Sequence, residues 1–132
     1  MSESFVQNGI VEPMKALIDT NILIDSHAGL EKAAVELNRY TELALSRVSW
    51  IEFFAGARTP EMRQQRQLLI DSFELLEVNA EVAEETVRLR QTTRLRLPDA
   101  MILATARVYG LLLVTRNTKD FSSGEPDIRI PY

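Results

Sequence analysis

The run LLLVT at 111–115 is apolar at every position but its last, with no alternation. A strand with one wet face alternates apolar and polar residues. An unbroken apolar strand is instead buried on both faces, as in a parallel sheet covered by helices on either side. KALI (15–18), LALS (43–46), ELLEV (74–78) and a short IRI (128–130) read as further strands. Helical patterns separate them. ILID continues from the capping cluster Asp19-Thr20-Asn21, and Gly29 is expected to begin LEKAAVELNRY. A helix opening at Ser49-Trp50-Ile51-Glu52 ends near Gly56, and Thr59-Pro60 caps EMRQQRQLLIDSF. Asn79 caps AEVAEETVRLRQTTR, and Pro98 opens DAMILATARVYG, which closes on Gly110. Strand and helix in alternation predict an α/β domain.

In such a sheet, ligands bind beyond the carboxyl ends of the strands. Four acids are expected there. Asp19 follows the first strand, Glu52 lies one turn into the helix after the second, Asp99 stands in the first turn of the Pro98 helix, and Asp120 follows LLLVT. Each has an ordinary explanation. Asp19 serves as a helix cap, Ser49-x-x-Glu52 as a capping box, Asp99 as a complement to the helix dipole, and Asp120 as an Asx turn before Phe121. Together they are harder to dismiss, because carboxylates at one sheet edge repel one another unless a cation lies between them.

Composition narrows which cation. Cysteine is absent and His27 is the one histidine, so thiolate zinc sites, disulfides and His-rich sites are excluded. A divalent ion bound here sits among oxygens. At 132 residues one domain is expected, and it is large enough to fold without staples. The net charge of −4 and pI of about 5.1 argue against non-specific DNA binding. Among the 15 basic residues only Lys15, Lys32 and Lys119 are lysines. That skew suits phosphate contact, and a GC-rich genome produces it equally well. No run reaches the roughly 18 apolar residues of a membrane span, and the start has no signal-peptide pattern, so a cytoplasmic location is expected. Residues 1–13 read as a polar extension ending at Pro13, and 14–132 as the single domain.

GxxxxGK[ST], GxGxxG and GxSxG are all missing, which removes phosphate cradles and the nucleophile elbow. His27 reads as a surface helix residue, and Trp50, Phe53 and Phe54 as core.

LIDTNILID (17–25), SWIEFFAG (49–56), LPDAMILATA (97–106) and VTRNTKDF (114–121) resemble, in order and spacing, the PIN domain, and within it the small VapC-type toxins of toxin–antitoxin modules. The resemblance runs from about Met14 to the terminal IPY. It implies a PIN-like three-layer α/β/α fold with a central parallel sheet of four to five short strands, and a metal-dependent endoribonuclease. By that resemblance Asp19, Glu52, Asp99 and Asp120 are catalytic acids around Mg²⁺ or Mn²⁺. Asp19 and Asp99 are assigned as direct ligands. Glu52 and Asp120 serve a second ion or act through water, with Thr20, Asn21, Thr115 and Asn117 in support. The position of Asn117 is an aspartate in many members of that family. Phosphate contacts are expected from among Arg58, Arg63, Arg88, Arg94, Arg96 and Arg116. The implied partners are RNA, a small cognate antitoxin protein and a second copy of the chain in a homodimer, with no membrane. The competing readings are a PIN-like protein-binding domain with little or no cleavage and, ranked below it, a receiver-type phospho-acceptor. The last expects an acid pair early in the chain, and Asp19 has no adjacent acid.

Overall fold

The structure, a computed structural model, describes residues 4–7, 10–13, 15–122 and 124–132, the first two segments by their backbone strands alone. Strands β3 (Lys15–Ile18), β4 (Glu42–Ser46), β5 (Glu74–Leu76), β6 (Leu112–Val114) and β7 (Ile128–Arg129) form one all-parallel sheet in the order β5-β4-β3-β6-β7. Around it lie helices α1 (Thr20–His27), α2 (Glu31–Leu37), α3 (Arg47–Ala55), α4 (Pro60–Ile70), α5 (Ala80–Thr92) and α6 (Leu97–Val108). This is the expected α/β architecture with a covered parallel sheet of five strands.

Both faces of the sheet are dry, as the unbroken apolar runs require. Leu17, Ala44 and Leu113 point to one side and pack with Val82 and Leu89 of α5 and Ile102 and Leu103 of α6. Ala16, Ile18, Leu45 and Val114 point to the other, against Ile22 and Leu23 of α1, Leu37 of α2, Phe53 and Phe54 of α3 and Ile70 of α4. One residue of register therefore separates two cores, and each strand feeds both.

Local chemistry sets the helix ends. Asn79 caps α5 by accepting from the Val82 N–H at 2.9 Å, and Thr59 caps α4 ahead of Pro60 by accepting from Met62 N–H at 3.1 Å. Two expectations are corrected. Gly29 ends α1 rather than beginning α2. Its φ of +87° lets Leu30 N–H reach Asp25 O at 3.0 Å, closing a Schellman turn. Gly110 does the same after α6 at φ +67°, with Leu111 N–H on Ala106 O at 2.8 Å. The second correction concerns α3, whose cap is Ser46 rather than Ser49. Ser46 Oγ accepts from Ser49 N–H at 3.0 Å, so the capping box read at Ser49-x-x-Glu52 does not form and Glu52 is left for other work.

Residues 4–7 and 10–13 are strands β1 (Ser4–Gln7) and β2 (Ile10–Pro13), where the sequence suggests only a polar lead-in. They pair antiparallel with each other, Val6 opposite Val11, and not with the main sheet. Met14, where the domain was expected to begin, lies outside the described residues. Among the described residues no helix is long and apolar enough to cross a membrane.

Candidate active site

From the central strand β3 the chain moves outward through β4 to β5 on one side, and β6 and β7 occupy the other. The order therefore switches between β3 and β6, and in open α/β sheets the crevice at that switch is where ligands bind. Asp19 leaves β3 there, its N–H on Val114 O at 2.9 Å, and Thr115 leaves β6 beside it.

Asp19 is 4% exposed and does two jobs. Its Oδ1 caps α1 through Thr20 N–H at 2.7 Å, and its Oδ2 accepts from the Thr115 hydroxyl at 2.7 Å. The cap explanation is therefore true and insufficient. Burial pushes the Asp19 carboxyl above its usual range. The Thr115 and Thr20 hydrogen bonds oppose that push without cancelling it, and the Glu52 charge adds to it.

Glu52 is brought over Asp19 by Thr20, whose hydroxyl donates to Glu52 Oε1 at 2.6 Å. Asp99 stands in the first turn of α6. Burial first, then the hydrogen bond and charge of Asp120 and the charge of Asp19, push its carboxyl up to about 6, and Arg96 pulls the other way. Asp120 moves oppositely. The Asn117 amide donates to it at 2.9 Å and holds it below the usual range, helped by Arg96 at 3.2 Å. The turn in this loop belongs to Asn117 rather than to Asp120, because Asn117 Oδ1 accepts from Asp120 N–H at 3.2 Å. Asn21 Oδ1 accepts from Arg116 N–H at 3.1 Å, and Arg116 also reaches Asp25 at 2.8 Å, so the loop after β6 is tied to α1.

The four acids thus sit as two neighbouring pairs, Asp19 with Glu52 and Asp99 with Asp120, joined by repulsion between Asp19 and Asp99. Among the described residues no three acidic or histidine side chains close a ready-made metal cage. The donor set nevertheless fits a hard divalent cation. It is all oxygen, and two of its carboxyls are held above their ordinary range by burial and like charge, a condition that a cation relieves.

Of the candidate arginines, Arg96 lies between Asp120 at 3.2 Å and Asp99 at 3.9 Å, and Arg94 lines a groove shared with Asp120. Arg63 lies over Phe54, Arg88 pairs with Glu85, and Arg116 is held by Asp25 and Tyr132. Phe53 and Phe54 are core, as expected, and Trp50 is half-buried beneath Arg47. His27 contacts Gln65 and Arg66 of α4. One residue escaped sequence reasoning. The Ser49 hydroxyl is fully buried without a hydrogen-bond partner among the described residues and lies one turn before Glu52 on the same face of α3. Its serine invited a capping interpretation, and nothing local marks the hydroxyl as free.

A parallel α/β sheet with carboxylates gathered at its switch point defines a class of domain, and sequence comparison identifies which one. The PIN domain family matches residues 16–123, and the chain belongs to that family. It is 30% identical over 121 residues to a tRNA(fMet)-specific endonuclease VapC of Shigella flexneri, covering 82% of this chain and 90% of that protein. It is 35% identical over 126 residues to ribonuclease VapC10 of Mycobacterium tuberculosis, covering 87% and 94% respectively. A toxin–antitoxin complex from Klebsiella pneumoniae contains a chain that superposes with a TM-score of 0.83 at 42% identity, covering 89% of this chain and 98% of that one.

Proposed function

We propose that this chain is a divalent-metal-dependent endoribonuclease of VapC type, acting in the cytoplasm as the toxin of a toxin–antitoxin pair. The observation that carries the reading is the gathering of Asp19, Glu52, Asp99 and Asp120 at the β3/β6 switch of a PIN domain, with burial and mutual charge raising Asp19 and Asp99. Asp19 and Asp99 hold the cation, Mg²⁺ or Mn²⁺. Glu52 and Asp120 hold a second ion or orient water in the shell of the first. Thr115 fixes Asp19, Thr20 fixes Glu52, and Asn117 fixes Asp120, so three of the four acids are aimed by a neutral neighbour. Asn21 anchors the loop that carries Thr115 and Asn117. A bound cation supplies positive charge to the attacking water and to the leaving oxygen of a phosphodiester. With water as the nucleophile and the ribose 3′-oxygen as the leaving group, the products carry 5′-phosphate and 3′-hydroxyl ends. The relatives named as endonuclease and ribonuclease support RNA as the substrate, and the toxin–antitoxin complex supports a small protein inhibitor. Such an inhibitor acts by placing an arginine among the acids, where its fork binds carboxylates in the cation's stead. A homodimer is part of the same reading.

The test is cleavage of cellular RNA by the purified chain in Mg²⁺ or Mn²⁺. Asp19→Asn and Asp99→Asn are each expected to abolish it, with circular dichroism unchanged. Cleavage by either variant at close to the wild-type rate overturns the ligand assignment.

A further inference from the structure

A groove of about 250 Å³ adjoins the acid cluster, between the C-terminal end of α5, helix α6 and the loop after β6. Asp120 lines it, so groove and acids form one continuous surface. Its floor is apolar, formed by Leu95, Leu103 and Phe121, the last two almost fully buried. On its lining stand two exposed cations, Arg94 and Lys119, and neither makes an ion pair with any described residue. Lys32, Arg58, Arg63, Arg66 and Arg90 also make no ion pair among the described residues, but none of them lines the groove that Asp120 lines. Arg47, Arg88, Arg107, Arg116 and Arg129 are each matched to a carboxylate. Even Arg107, which shares the groove, is taken by Asp127 at 2.7 Å. Asp120, an acid on the same lining, is taken by Arg96 and Asn117 instead.

Unmatched cations over an apolar floor are how single-stranded nucleic acid is held, phosphate on the charges and base or ribose on the apolar surface. The volume is below the roughly 300–1,000 Å³ of drug-sized pockets, which leaves room for a single nucleotide unit. We infer that this groove seats the nucleotide adjoining the scissile phosphate of a single-stranded RNA, with Arg94 and Lys119 contacting its phosphate. The inference rests on the ribonuclease reading above and adds to it where the strand lies. Glu125, the other acid on the lining, cannot take phosphate. It suits a base amino or imino donor.

The experiment is fluorescence anisotropy of a short, labelled, random-sequence single-stranded RNA across a salt series, with metal chelated so that no strand is cut. Each phosphate neutralised on a single strand contributes roughly 0.7 to the slope of log affinity against log salt, so Arg94→Gln with Lys119→Gln is expected to flatten that slope by about 0.7, the share of the one phosphate they hold. The swap Arg94→Lys with Lys119→Arg should keep it. Lys32→Gln with Arg90→Gln removes the same two charges outside the groove and should change the slope by less than half as much. An unchanged slope in the first pair, or an equal change in the control pair, overturns the groove. Cleavage of the same RNA by the wild type in Mn²⁺, and its loss in Asp19→Asn, reports separately on the ribonuclease reading. Cleavage with an unchanged slope sinks the groove alone. A flattened slope without cleavage sinks the ribonuclease and leaves a nucleic-acid site.

Discussion

Glu36 in α2 and Asp19 after β3 are buried to nearly the same depth, 3% and 4% exposed, and their carboxyls are displaced in opposite directions. Burial pushes both upward. At Glu36 that push is outweighed, because Arg129 donates at 2.6 and 3.0 Å and the Tyr40 hydroxyl at 2.6 Å, and the carboxyl ends below its usual range. At Asp19 the partners are a hydroxyl and a backbone N–H, both neutral, and Glu52 adds a like charge. The difference is a cation. One carboxylate receives it from the chain itself, 93 residues away, and the other has none bonded to it among the described residues. The first cluster holds the fold together by fastening α2 to the edge strand β7. The second stores unfavourable charge that an external cation relieves.

The largest expected effect comes from breaking the satisfied cluster. Arg129→Met leaves Glu36 buried beside Tyr40 with only the more exposed Arg39 guanidinium near it, at 3.7 Å and without a hydrogen bond. Stranding one member of a buried ion pair removes about 3 kcal/mol, the low end of the usual range, since the Arg129 side chain is 35% exposed. Asp19→Asn in chelator should change stability by less than about 1 kcal/mol, because the amide keeps the shape and sheds the charge. Urea unfolding of the two variants makes the comparison. An Asp19→Asn loss as large as that of Arg129→Met would make Asp19 a structural anchor and erase the contrast.

Next comes Asp99, where pH and metal act on one carboxyl. Its folded-state pKa, about 6, exceeds the ordinary 3.8, so between those values the folded chain binds more protons than the unfolded one. Its contribution is therefore greatest in acid and is lost as pH rises through about 6, a loss of order 1 kcal/mol after allowance for solvent screening. Glu36 has the opposite sign. Held below its ordinary 4.5, it stabilises above that pH, and the benefit is lost in more acid solution. In chelator near neutral pH, Asp99→Asn should melt at or above the wild type and lose the decline through pH 6. With Mn²⁺ at a hundred times its Kd, the wild type should gain about 2.7 kcal/mol and the variant far less. Thermal shifts of both proteins, with and without metal, provide the check. A variant less stable in chelator, with neither protein responding to metal, would reduce Asp99 to a helix-dipole complement.

The two clusters also differ in how legible they were. The acids of the second stand at strand ends and helix starts, which short-range patterns mark: an apolar run stopping at Asp19, Pro98 just ahead of Asp99, LLLVT ahead of the Asp120 loop. Those signals placed five strands and six helices in the right order, because each is local. The Glu36–Arg129 pair had no such signal. Nothing near Glu36 in α2 announces that an arginine of the last strand will meet it, since that contact exists only once the sheet has closed. Local signals also misled where two residues competed for one role. Ser46 and Ser49 are both plausible caps, and the strand ending at Ser46 decided between them. Gly29 fits either the end of one helix or the start of the next, and its positive φ assigns it to the end. The division of the acids into two pairs, with Arg96 on one of them, depends on side-chain directions that spacing does not encode.

The smallest expected effect concerns Arg96, a weak counterpart of Arg129. It occupies the cap position of α6 without making a side-chain cap, and reaches Asp120 at 3.2 Å and Asp99 at 3.9 Å. Its side chain is 71% exposed, so the pairing is worth about 0–1 kcal/mol and yields to salt. Arg129 is locked onto Glu36 by two hydrogen bonds, whereas Arg96 gives Asp120 one and touches Asp99 only at the limit of an ion pair. Such a guanidinium competes with a divalent cation for the same two carboxylates. Arg96→Gln should therefore leave unfolding in chelator within about 1 kcal/mol of wild type. It should also tighten Mn²⁺ binding roughly two- to five-fold, the equivalent of about 0.4–1 kcal/mol. Calorimetric titration at low and moderate salt reads this directly, and the gain should shrink as screening shortens the reach of the lost charge. Weaker Mn²⁺ binding in Arg96→Gln would mean that Arg96 aims Asp99 and Asp120 for the metal. It would then act on its carboxylates as Arg129 acts on Glu36, and the contrast would rest on Asp19 and Glu52 alone.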